Sequence, residues 1–191
     1  MNRRGFLQAA AAALPALGLH DVLEAEARAQ AEAPSSPRVH VVGDGEDRYG
    51  ETRTLGFSTV GFKVGTADTG GRLFVMEHTH MVPGGPALHR HWHQEEWFYV
   101  MEGEVAFVVG EQRVTLKAGE SVLGPRMVPH TFSSVSATPS RLLIAFSPAG
   151  EMEAYMRDSE KAGRPADPAA WFRKYEMDYL GPSPFWKTHA G

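Results

Sequence analysis

Three histidines, His89, His91 and His93, alternate along "LHRHWHQEEWFYVMEG" (residues 88–103), and Glu95 and Glu96 follow at once. Imidazole and carboxylate are the side chains that hold a divalent transition metal where no thiolate is at hand, and the chain has no cysteine. Which of the five converge depends on whether the stretch is one strand or two. As a single strand, its period of two puts His89, His91, His93 and Glu95 on one face and Glu96 on the other. As two strands with a reversal at "WHQE", the alternation restarts. His89 and His91 then end the first strand on a common face, and Glu96 shares the inner face of the second with Phe98 and Val100. The second reading is favoured by "EWFYVM", a strand pattern in its own right that stops at the tight turn "EGE". It leaves His93 on a solvent-facing rim and turns Glu95 and Trp97 away from the site. A further ligand must then come from elsewhere, and "AGESVLGPRMVPHTF" offers His130 on a neighbouring strand.

The elements that must position these residues are short. Runs such as "VGFKVG", "RLFVMEHTHMV", "EVAFVVG", "QRVTLKAG", "HTFSSVS" and "RLLIAFS" alternate with turn signals such as "TADTGG", "PGGP", "KAGE" and "ATPS". Many short strands with no helix-period segment before Ser147 predict an all-β antiparallel sandwich or barrel. After Pro148 the pattern becomes helical. "GEMEAYMRDSEKAG" carries Met152, Tyr155 and Met156 on one face and stops at Gly163. "DPAAWFRKYEMDYLG" predicts a second helix with Asp167 as N-cap, Pro168 in its first turn and Gly181 as its stop. One more short strand is expected at Val39–Val42.

The two ligand-bearing stretches resemble the motifs of the cupin superfamily. The first motif, His-x-His, three or four residues, Glu, six residues, Gly, is met by His89, His91, Glu96 and Gly103. The second is met by Gly119, Pro125 and His130, with Met127 where the family has a glycine and Ser134 where it has an asparagine. The resemblance covers roughly Thr54 to Pro148. It implies a small jelly-roll barrel at residues 54–148, preceded by a lead-in at 30–53 and followed by a C-terminal helical tail at 149–191 with two α-helices. It also implies one divalent transition metal on His89, His91, Glu96 and His130. Iron or manganese is favoured, with nickel, cobalt, copper and zinc open, because ligand type narrows the field without choosing. The tail is similar to that of quercetin-dioxygenase-like cupins.

Elsewhere, His78 and His80 form a second His-x-His pair on the face of Phe74 and Met76. They are expected to be half-buried and hydrogen-bonded, and to line the pocket if that face is the inner one. Phe98, Phe107, Phe132 and Phe146 read as core, and His40 and His189 as surface residues.

The whole chain sets the outer bounds. At 191 residues and 42% hydrophobic it has room for one domain with a sizeable core. Its 19 basic and 23 acidic residues give a formal charge of −4, with no basic run beyond the first few positions, which argues against a nucleic-acid partner. "MNRRGFLQAAAAALPALGL" has a basic head and an apolar run too short for a stable membrane span, then "ARAQAEA" as a small-residue cleavage region. Arg3-Arg4-Gly5-Phe6-Leu7-Gln8 resembles the twin-arginine export signal of bacteria. Residues 1–29 are therefore expected to be a signal peptide that engages the twin-arginine machinery, cut after Ala29 or alternatively Ala33, with the mature protein in the periplasm.

Together these features predict a periplasmic metal-dependent cupin. The resemblance suggests a dioxygenase acting on an enolic or phenolic small molecule, with Glu96 as the catalytic residue, serving as ligand or taking the substrate proton. The alternatives are a non-catalytic metal- or ligand-binding protein of the cell envelope and a cupin isomerase or lyase. A homodimer is expected by resemblance alone.

Overall fold

Alternation of apolar and polar residues along short strands forces two layers here, because each strand has one face to bury and none is long enough to bury it alone. The structure, a computed structural model, describes residues 39–163 and 165–186. In chain order the elements are β1 (Arg53–Thr54), β2 (Thr59–Val64), β3 (Phe74–Met81), β4 (Leu88–His91), β5 (Glu95–Glu102), β6 (Glu104–Val109), β7 (Gln112–Lys117), β8 (Ser121–Gly124), β9 (His130–Ser134), β10 (Ser140–Ser147), α1 (Met152–Ala162), α2 (Pro168–Lys174) and β11 (Met177–Gly181). One antiparallel sheet runs β1-β2-β3-β10-β5-β8 and the other β11-β4-β9-β6-β7. This is a jelly-roll architecture. Phe62, Phe74, Met76, Phe98, Leu142, Ile144 and Phe146 of the first sheet share one core with Val105, Phe107, Phe132 and Met177 of the second.

The period of two is kept where it matters. On β5, Glu96, Phe98 and Val100 are buried, whereas Trp97 is 37% exposed. On β3 the neighbours Glu77 and His78 are both buried, for different reasons. Lys63 Nζ lies 2.7 Å from Glu77 Oε2 and Arg141 also bonds this carboxylate, whereas His78 turns toward the aromatic interior. His80 does not follow His78. Its φ of +52° and the register shift between Ser140 and Leu142 opposite break the alternation, so His80 is exposed and Met81 is buried.

The tail departs from expectation at one place. α1 ends at Ala162, next to Gly163, and Asp167 caps α2 by accepting from the Ala170 amide at 2.9 Å. The second helix stops at Lys174, well before Gly181. Tyr175 caps it, Glu176 takes a φ of +59°, and Met177–Gly181 pairs antiparallel with β4. Met177 and Tyr179 stand opposite His91 and His89, so pairing with the histidine strand wins over helical propensity. Val39–Val42 forms no strand. No helix among the described residues is long and apolar enough to cross a membrane. The expected signal segment lies outside the described residues, as do His20 and His189.

Candidate metal centre

β4, β5 and β9 each end or begin where the two sheets face one another, and that placement gathers the chemistry. His89 and His91 come from β4, Glu96 from β5 and His130 from β9, where it stands in register with His89. Their ligand atoms lie within 4.8 Å of one another and all four residues are buried. The reversal between His91 and Glu95 is present, with His93 exposed and Glu95 paired to Arg126 at 2.5 Å on the outside. The structure therefore brings together the two-strand selection and leaves His93 and Glu95 apart from it.

The donor set is oriented by partners outside it. His89 Nδ1 donates to the Ala87 carbonyl and His130 Nδ1 to the Val128 carbonyl, both at 2.9 Å. His91 Nδ1 lies 3.3 Å from Gln94 Oε1, while the Gln94 amide donates to Ala149 O at 2.9 Å, so Oε1 is left as the acceptor. Each Nδ1 thus carries the proton and each Nε2 presents a lone pair. His130 Nε2 is 2.7 Å and His91 Nε2 2.9 Å from Glu96 Oε2. Lone pairs facing a carboxylate oxygen at that distance need positive charge between them. A proton or a metal ion can supply it, and three imidazoles with one carboxylate are a fitting donor set for a divalent transition metal.

The electrostatics agree. Burial alone would raise the Glu96 carboxyl, but the hydrogen bonds and charge of His130 and His91 hold it well below the usual carboxylate range. Burial pushes His89 down to about 3, helped by the other two imidazoles. Burial also opposes a charge on His130, but its contact with Glu96 wins and raises it. Aromatic rings close the centre: Phe172 meets His89 edge-on at 5.7 Å and Phe146 meets His91 at 5.6 Å. Gly124 leaves room beside it, since a Cβ there would stand 3.3 Å from His130 Nδ1.

A cavity of about 580 Å³ opens onto His89 and Glu96, with walls that include Phe57, Met76, Phe132, Tyr155 and Trp171. That is the size and character of a small-molecule site. The α1 and α2 helices contribute much of its wall, a role that helical periodicity could not reveal. Gln94 is buried and fixes His91, yet neither motif includes it, and nothing in the sequence marks it apart from its place in the reversal.

Met127, at the position where the motif has glycine, adopts a φ of +63°, the left-handed conformation that glycine takes freely. Its amide donates to His91 O at 2.8 Å, tying the second motif to the first. Ser134, in place of asparagine, lies buried with its Oγ 2.8 Å from Ser140 Oγ.

Comparison with known proteins agrees with this geometry. Residues 77–146 match the family described as "Cupin domain". The fold is similar to that of a predicted oxalate decarboxylase from Thermotoga maritima, with 18% identity, a TM-score of 0.51, and coverage of 57% of this chain and 99% of that one. It is similar also to an RmlC-like cupin from Shewanella frigidimarina, with 22% identity, a TM-score of 0.50, and coverage of 61% and 96%. An uncharacterised protein of Methanocaldococcus jannaschii is 26% identical over 61 residues, 32% of this chain, which spans about half (49%) of that relative's length. The matched segment, residues 77–146, holds all four candidate ligands: His89 and His91 on β4, Glu96 on β5 and His130 on β9.

Proposed function

We propose that this protein is a metal-dependent cupin enzyme that dioxygenates an enolic or phenolic small molecule. The observation that carries the reading is the cavity: a mostly apolar chamber of about 580 Å³ whose wall includes two of the four candidate ligands, His89 and Glu96. His89, His91, His130 and Glu96 would hold the ion, iron or manganese by preference. When bound, it would supply Lewis acidity and redox capacity toward an enol or phenol and dioxygen.

The protein's own groups do the rest. The apolar wall binds a flat ring system and keeps water from it. The Glu96 carboxylate, held ionised, is placed to take the hydroxyl proton of the substrate at its free lone pairs. The Nδ1 donors of the three imidazoles stay committed to Ala87, Gln94 and Val128, so the histidines orient and do not shuttle protons. The Arg3-Arg4 leader supports folded export to the periplasm, with the metal acquired beforehand. We take the working unit to be a homodimer.

The test is to load the protein separately with iron(II), manganese(II), nickel(II), cobalt(II), copper(II) and zinc(II) and to follow oxygen uptake with flavonols, catechols and diketones. Uptake with at least one class in the iron or manganese form is expected. Tight metal binding without turnover across the panel would replace this reading with that of a ligand-binding protein, and product formation under anaerobic conditions with that of an isomerase or lyase.

A further inference from the structure

His78 is a buried histidine that the metal centre does not use. Its side chain is buried, with Ser58 Oγ 2.7 Å from Nδ1. Phe57 stacks on the ring at a centroid distance of 5.7 Å, and Phe132 meets it edge-on at 5.8 Å. Ser58 therefore occupies one nitrogen and the phenyl rings cover the flanks. Nε2 is buried and no polar atom of the described residues reaches it. An imidazole nitrogen left without a partner in an apolar interior is destabilising, and a fold does not keep such a group without return. His78 also lines the cavity that opens onto His89 and Glu96.

We propose that His78, steadied by Ser58, is a second polar anchor in this cavity, binding a flat, uncharged ligand that has one oxygen at the metal centre and a further hydroxyl or carbonyl at Nε2. The inference rests on the reading of the cavity as the substrate site and narrows the substrate class to ring systems oxygenated at two separated positions. The chemistry of the dyad fits either terminus. Ser58 can donate to Nδ1 or accept from it, so Nε2 can donate to a carbonyl or accept from a hydroxyl. A carboxylate or phosphate does not fit, because the imidazole is held neutral among aromatic rings and the Glu96 carboxylate faces the same chamber. The flat surfaces of Phe57 and Phe132 beside the anchor favour a planar ring over a sugar.

Binding of matched monophenols and bisphenols of increasing length tests this on the zinc-loaded full chain, where calorimetry reads affinity without oxygen chemistry. The pairs are phenol with hydroquinone, 2-naphthol with 2,6-dihydroxynaphthalene, and 4-phenylphenol with 4,4′-dihydroxybiphenyl. At least one bisphenol is expected to bind about tenfold tighter than its monophenol, the upper range for one added neutral hydrogen bond. His78→Phe should cancel that advantage while leaving metal content unchanged, and Ser58→Ala should reduce it. If no pair shows an advantage, or if the advantage survives in both variants, the anchor does not exist. The comparison within each pair uses the unaltered protein, so it decides the matter even if His78→Phe fails to fold. Absence of oxygen uptake in the iron form would sink the dioxygenase reading alone and leave this result standing.

Discussion

Glu96 is the residue on which binding and chemistry diverge. Its Oε2 meets two imidazoles, and the three Nε2 atoms would still present a donor set if the carboxylate became an amide. Glu96→Gln is therefore expected to retain most of its metal while turnover falls by about 10²–10⁴, the usual worth of a positioned proton acceptor. Metal content by elemental analysis beside oxygen uptake checks it, and full activity in the variant would remove the proton-accepting role. His78 gives a second expectation at this scale. Burial pushes its imidazole down to about 4, against the opposing pull of the Glu96 charge, whereas an unfolded histidine titrates near 6.5. Between those values the unfolded chain binds the extra proton, so the stability that goes with a neutral His78 is fully present above about pH 6.5 and is lost as pH falls to about 4. The loss is on the order of 3 kcal/mol. Denaturant titrations of metal-free protein across that window should show a steeper decline for the parent than for His78→Phe, and parallel declines would contradict it.

At the scale of elements, the site depends on turns more than on strands. Met127 holds a left-handed φ of +63° and is 46% exposed, so it strains the backbone and buries little. Met127→Gly should raise unfolding stability by a few tenths to about 1 kcal/mol, the strain relieved less the added freedom of the unfolded glycine, with metal content unchanged. A loss of stability would mean that the thioether packs better than its exposure implies. The same scale explains what the sequence made legible. Short alternating runs bounded by Gly and Pro located the ligand-bearing strands, and the reversal at "WHQE" separated Glu96 from Glu95. The strand Met177–Gly181 was hidden, because "KYEMDYLG" suits a helix locally and only pairing with β4 and the positive φ of Glu176 end it early. His80 was misplaced beside His78 for the same kind of reason. A bulge in β3 answers to its neighbour β10, not to its own residues.

At the scale of the whole molecule, the centre is expected to couple folding to metal. Two sheets and two helices converge on a buried group of three imidazoles and a carboxylate, and in the absence of a cation their lone pairs oppose one another across 2.7 and 2.9 Å. Occupancy should therefore stabilise the native state alone, since no such constellation exists in the unfolded chain. At a free metal concentration about a thousandfold above Kd the gain is about 4 kcal/mol, and for a chain of this size each kcal/mol moves the melting point by about 2–4 °C. Chelation followed by dialysis is expected to lower Tm by about 10 °C, and restoring manganese(II) or iron(II) under anaerobic conditions should recover it. The recovery must fail in His91→Ala and must survive in His93→Ala, because His93 lies outside on the reversal and His91 lies within the centre. A melting point indifferent to both chelator and metal would mean that the four residues satisfy one another with a proton alone, through His130 and Glu96. The catalytic reading would fall with it.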